Sequence, residues 1–187
     1  MHPLDKIFRI WLPIAAAAIL ATVLVVGILA EPERYELGYS PDQPIAFSHR
    51  LHAGDNRIPC QYCHTGAVRS RHAEVPPVGK CMNCHRVTRT ESPPIRTITA
   101  AYEAGEAFPW KRIYTLPDHV YFDHRPHVNG GIACQECHGR VEEMEVVSRI
   151  LNMRMGRCLE CHRGERTYFY GPVPELRGST NCWACHR

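Results

Sequence analysis

Two hydrophobic patterns divide the chain. From Ile10 to Ala30, apolar residues run for 21 positions without a charge, enough at about 1.5 Å per residue to cross the roughly 30 Å hydrocarbon core of a bilayer. The run predicts one membrane-spanning helix, with residues 1–34 as an N-terminal anchor. Pro13 falls in its first turns, where a missing N–H costs little. Lys6 and Arg9 precede the run and Glu31 and Glu33 follow it, so the positive-inside rule places the N-terminus in the cytoplasm and the rest of the chain outside the inner membrane. A cleaved signal peptide is the competing reading. Ile28-Leu29-Ala30 is a poor small-x-small cleavage site, however, and the run is long for a signal's apolar region.

Beyond residue 34 sustained periodicity is scarce, and 13 glycines and 15 prolines punctuate the chain. Regular structure should be sparse and mostly short helices. After Pro93-Pro94, Ile95, Ile98 and Tyr102 share one face of a short helix before Pro109 and Pro117 break the pattern, so residues 93–118 read as a packed connector. Hydrophobic residues at 44% and charged residues at 22% fit a chain that folds mainly in water, neither disordered nor polytopic. The formal charge of +3 comes from 22 basic and 19 acidic residues spread along the sequence, without the clustered basic face that nucleic-acid binding needs.

Cysteine usage changes the picture. All ten cysteines fall into five C-x-x-C pairs, each followed at once by histidine: Cys60/Cys63/His64, Cys81/Cys84/His85, Cys134/Cys137/His138, Cys158/Cys161/His162 and Cys182/Cys185/His186. With 12 histidines in 187 residues, five such neighbours by chance have a probability on the order of one in a million, so the histidine belongs to the motif. C-x-x-C-H is the covalent attachment site of c-type haem: two thiols bond the macrocycle and the adjacent imidazole ligates iron. Five motifs imply five covalently bound haem c groups. Structural zinc is the first rival, but it consumes C-x-x-C pairs two at a time and does not require a histidine after each. Disulfides suit an exported chain yet leave the histidine unexplained.

The motif starts are separated by 21, 53, 24 and 24 residues, which divides the chain into a dihaem module (35–92), the connector (93–118) and a trihaem module (119–187). Ala46-Phe47-Ser48-His49-Arg50-Leu51-His52 precedes the first module's motifs and Tyr121-Phe122-Asp123-His124-Arg125-Pro126-His127 the second's. This is an internal duplication. Each copy offers an aromatic ring and two imidazoles to haem faces, where a six-coordinate iron needs its second axial ligand. The body supplies about 31 residues per haem, too few for a conventional apolar core, so the macrocycles must provide the core and the apo-chain should not fold. Nineteen arginines against three lysines would suit bidentate pairing with haem propionates, although biased codon composition explains the count as well. Ten ionised propionates would turn the charge from +3 to about −7. Trp110, Trp183 and Tyr168 to Tyr170 read as haem packing and module contacts.

The F-x-H-x-x-H element followed by C-x-x-C-H resembles the class III multihaem cytochromes of the c7 and c3 type. Ser70-Arg71-His72-Ala73 before the second motif and Leu116-Pro117-Asp118-His119-Val120-Tyr121-Phe122, with the single helix and five motifs, extend the likeness. Over nearly the whole chain the sequence is similar to the pentahaem cytochrome subunits of alternative complex III. The resemblance implies a mostly irregular, short-helix multihaem fold. It also implies a ligand pattern: His49 opposite His64, His52 opposite His85, His124 opposite His138 and His127 opposite His162. Where the c7 pattern has a third histidine this sequence has Met153 and Met155, and Met155 is the expected ligand opposite His186; His72 and His119 are the alternatives. A Met/His centre would have a higher potential than bis-His neighbours.

Irons with both axial positions filled pass electrons and bind no substrate, so no catalytic residue is expected. The resemblance implies an electron-transfer subunit that takes electrons from menaquinol oxidised in a membrane partner, through an iron–sulfur subunit. It would pass them to a periplasmic monohaem cytochrome, a blue-copper protein or a terminal oxidase. A second reading is a membrane quinol dehydrogenase feeding periplasmic nitrate and nitrite reductases. Those proteins often carry a methionine soon after the first motif, where Thr65-Gly66-Ala67 stands here. A catalytic multihaem reductase would need an open iron, often marked by lysine in place of the motif histidine, and no C-x-x-C-K occurs.

Overall fold

A computed structural model describes residues 3–29, 37–171 and 177–186. It divides the chain into an N-terminal unit to Leu37 and a body from Gly38. The first unit is the helix α1, Leu4–Leu29, 26 residues long, interrupted only by a wider π-helical turn at Ile7–Trp11 whose flanks keep helical backbone angles. Its apolar residues surround the axis and none is buried. An unburied helix that is apolar all round suits lipid, and at about 1.5 Å per residue its length exceeds a bilayer's hydrocarbon core. It starts six residues before the expected run. Ala30, Glu31, Glu33 and His2, and the expected boundary after residue 34, lie outside the described residues.

The body is built from short helices: α2 Cys60–Cys63, α3 Val78–His85, α4 Pro93–Ala104, α5 His124–Asn129, α6 Gln135–His138, α7 Met155–Arg163 and α8 Cys182–Cys185. Among the described residues there is no strand, only an isolated antiparallel bridge between Val120 and His186. Local chemistry sets the helix ends. Pro59 and Pro77, in extended backbone, precede α2 and α3. The Asp123 carboxylate accepts the Arg125 N–H to start α5, and the Asn181 side chain accepts that of Trp183 to start α8. α4 has prolines in its first turn and ends on Gly105 at φ 69°, a left-handed cap that glycine adopts without steric cost.

The apolar core is small. Val78 and Met82 of α3 meet Ile95 and Ile98 of α4, with Ile45, Cys81 and Phe108 around them. The expected connector helix therefore packs on the helix that carries the second motif, and Ile95 and Ile98 are its inward face. Tyr102 is more exposed, at 39%, and its hydroxyl accepts a bond from Arg86 at 2.6 Å. Ala67 is the one further buried apolar side chain among the described residues. Five such residues are too few to hold a body of this size by themselves.

Candidate haem centres

Each motif sits on a helical turn, which brings Cys i and Cys i+3 to one face and leaves the following histidine at the turn's end. Opposite each motif histidine stands a second imidazole. Ring centres are 6.5 Å apart for His49 and His64, 6.1 Å for His52 and His85, 6.3 Å for His124 and His138, and 6.0 Å for His127 and His162. Two imidazoles bound through nitrogen on opposite sides of one metal, at about 2 Å each, have ring centres on the order of 6 Å apart. The spacing fits a metal between each pair.

The expected attachment cysteines are less enclosed than a core site would make them. Cys60, Cys84, Cys158 and Cys182 are exposed, while Cys63, Cys81, Cys134, Cys137, Cys161 and Cys185 are half-buried. Helices of one to three turns cannot cover both thiols of a pair with protein alone. The second motif shows the reason most clearly. Cys81 packs against the core between α3 and α4, but Cys84, one turn further on, passes the edge of that contact and stands exposed. Its carbonyl is engaged by the Val87 and Thr88 N–H groups at 3.1 and 3.0 Å.

The fifth pair departs from expectation. The ring that faces His186 belongs to His119, 5.6 Å away and inclined by 16°, within the backbone bridge that joins Val120 to His186. Met155 stands in the first turn of α7 with 62% exposure, and His72 is also exposed. The geometry thus offers His119, an alternative in the sequence, where Met155 was expected.

The imidazoles are oriented by the backbone. Nδ1 of His52, His64, His85, His124, His127 and His162 lies 2.6–3.0 Å from the carbonyls of Ser48, Glu74, Thr88, Arg71, Asp123 and Ser179 respectively. A carbonyl only accepts, so Nδ1 carries the proton in each and Nε2 is left to face a metal. Burial, reinforced by neighbouring histidines, lowers the pKa of His49 and of His138 to about 4. Burial also lowers that of His127. Neutral imidazole is the form that ligates metal.

The duplication is structural as well as sequential. Phe47 lies edge-on to His49 at 4.8 Å and stacked on His52 at 4.4 Å. Phe122 repeats this with His124 at 4.8 Å and His127 at 4.6 Å. The aromatic of F-x-H-x-x-H thus props both imidazoles.

Three supporting residues were not among the expected site residues. Arg71 donates to the Phe122 and Val120 carbonyls and stacks on Tyr121 at 4.4 Å, while its own carbonyl accepts from His124. The first module thereby orients a ligand of the second. Tyr114 meets His138 edge-on at 4.6 Å. Glu136, between the third pair of cysteines, is 2% exposed; one oxygen accepts the Phe169 and Tyr170 N–H groups at 2.6 and 2.7 Å, and the other lies 3.6 Å from the Arg166 guanidinium. That pins the expected aromatic segment 168–170 to the third motif. Trp183, by contrast, is 78% exposed, and Trp110 packs on Phe47 and Phe108.

The donor set does not suit zinc: no three His, Cys, Asp or Glu side chains converge on one point among the described residues, whereas a structural zinc needs four. Paired cysteines on one face of a turn with an imidazole on either side suit haem. A family model described as cytochrome c7 and related cytochrome c matches residues 120–187. The fold is a short-helix, c7-like multihaem cytochrome fold preceded by an apolar helix. This c7-like chain is also similar to the menaquinone reductase multihaem cytochrome c subunit of Nitratidesulfovibrio vulgaris, with 27% identity over 90% of this chain and 87% of the relative.

Proposed function

We propose that this chain is the pentahaem electron-transfer subunit of a membrane-bound, menaquinone-linked oxidoreductase of the alternative complex III type, anchored by α1 with its body on the periplasmic side. The observation that carries the reading is the set of five facing imidazole pairs. Ten cysteines tether the cofactors, and ten histidines, with His119 in place of Met155 as the fifth distal ligand, close both axial positions. Haem in such sites supplies one-electron chemistry with no vacancy for a substrate. The chain's own work is to hold the centres close, fix each ligand's tautomer through backbone carbonyls, and set potentials by burial and hydrogen bonding. Quinone chemistry then belongs to membrane and iron–sulfur partner subunits.

In the quinol-oxidising direction, electrons pass through this chain to a periplasmic monohaem cytochrome, a blue-copper protein or a terminal oxidase. The opposite direction, toward menaquinone, has two observations in its favour. The relative's name is that of a reductase. In addition, an imidazole opposite His186 removes the Met/His centre whose higher potential would have marked a final stop.

Potentiometric titration of the purified complex decides the direction. Five midpoints at or above that of the menaquinone couple support quinol oxidation, and five below it support menaquinone reduction. Fewer than five one-electron centres would contradict the pentahaem reading.

A further inference from the structure

The five attachment sites touch one another in an order that is not their order in the sequence. The first and second sites meet through their spacers: Asn83 donates to the Tyr62 hydroxyl at 3.1 Å, and the Lys80 ammonium lies 4.8 Å from the Tyr62 ring centre. The first and third meet through the segments that flank them, His124 Nδ1 lying 2.8 Å from the carbonyl of Arg71, seven residues after His64. Arg50, next to the distal His49, donates its backbone N–H to the Met144 carbonyl at 2.9 Å, and the Asn129 side-chain amide donates to the Val68 carbonyl at 3.2 Å.

Within the second module the path runs on in sequence. Arg157, beside Cys158, and Arg166 both donate to the Glu136 carbonyl inside the third motif, at 3.2 and 3.1 Å, and Arg166 also reaches Cys161 Sγ at 3.9 Å. The fourth site meets the fifth through Ser179, three residues before Cys182, whose carbonyl accepts from His162 at 2.6 Å. At the other end, the helix of the second site is covered by α4.

We propose that the haem centres form one unbranched path in the order second, first, third, fourth, fifth, and that the contacts of residues 50, 68 and 71 with residues 144, 129 and 124 are the bridge between the modules. The inference rests on the pentahaem reading. The segments that would hold the first and third groups are hydrogen-bonded to each other, so these two centres are the neighbours across the module boundary. Electrons therefore enter and leave at the second and fifth centres, and the first centre is interior although it is first in the chain.

The test uses the full chain in detergent. Intact mass comes first: fewer than five haems would overturn the pentahaem reading and leave the order without a subject. Given five, the fully reduced, diamagnetic protein should show haem-to-haem nuclear Overhauser contacts between the first and third groups and between the first and second. Contacts between the second and third without any between the first and third would overturn the order. Distal-ligand variants give a second readout, because a methionine ligand raises one centre's potential, so that it is reduced early and shifts its neighbours. His49→Met should move two other midpoints and His52→Met only one. The reverse pattern, two for His52→Met and one for His49→Met, is what a path in sequence order gives and would refute the proposal.

Discussion

Replacing Glu136 with alanine removes the anchor that ties residues 166–170 to the third motif. The carboxylate is 2% exposed, so the groups it leaves behind cannot turn to water. Two backbone N–H groups lose an acceptor at 2.6 and 2.7 Å, each an unsatisfied donor costing about 1–3 kcal/mol. The Arg166 side chain, 11% exposed, loses its counter-charge, and breaking a buried pair costs about 3–5 kcal/mol. These costs overlap, because Arg166 keeps its bond to the Glu136 carbonyl at 3.1 Å. The low end, about 3 kcal/mol, is the expectation, which in a domain of this size lowers Tm by roughly 6–12 °C. Glu136→Gln keeps one carbonyl oxygen for the two amides but still removes the counter-charge of Arg166, so it should cost less than the alanine change, about 2 kcal/mol. Thermal unfolding of the haem-loaded protein, followed by circular dichroism, measures both. An alanine variant within about 0.5 kcal/mol of the parent, the range of an ordinary surface substitution, would refute the reasoning.

Other substitutions separate ligands from bystanders. His119→Met should raise one of five midpoints in a redox titration, whereas Met155→Leu should leave all five in place; the opposite pattern restores the thioether as ligand. At Gly178 any side chain would overlap the His162 ring, so Gly178→Ala should perturb the fourth centre's absorption and midpoint while the others keep theirs. Arg71→Lys replaces a planar fork that spans two carbonyls and stacks on Tyr121 with a point charge. It should destabilise the body by about 1–2 kcal/mol in the same unfolding assay. Chain made without haem attachment should lack cooperative unfolding and fixed near-ultraviolet dichroism, since the described apolar core is so small.

Motif chemistry was the most legible part of this sequence. A C-x-x-C-H unit is local, so its helical turn and its proximal imidazole follow from five consecutive residues, and the duplicated F-x-H-x-x-H elements announce a repeated geometry. The apolar helix and the inward face of Ile95 and Ile98 were equally readable, because hydrophobic periodicity is a local signal. How far each thiol is covered was not, since the difference between Cys81 and Cys84 depends on where α4 packs. Long-range pairing left no such trace. His119 reaches His186 only because residues 119–121 bridge to the end of the chain, through the Val120–His186 pairing and the Tyr121 N–H on the Cys185 carbonyl. Met155 had the right distance to Cys158 in sequence, yet it opens α7 on an exposed side. Nothing in the third motif marks Glu136 as buried, and only partners some thirty positions later make its burial tolerable. Arg71 stands in the phrase Ser70-Arg71-His72-Ala73, but its role was not legible there, since its partners are carbonyls and a ring some fifty positions later.

Intact mass spectrometry of the purified protein, read together with its ferric absorption spectrum, bears most directly on the claim that ten cysteines and ten histidines enclose five closed iron centres. The predicted result is the mass of the polypeptide plus five haem groups, resistant to acid extraction, with a purely low-spin spectrum. A polypeptide carrying zinc or disulfides instead, or a high-spin iron that binds carbon monoxide on reduction without displacing a ligand, would contradict it.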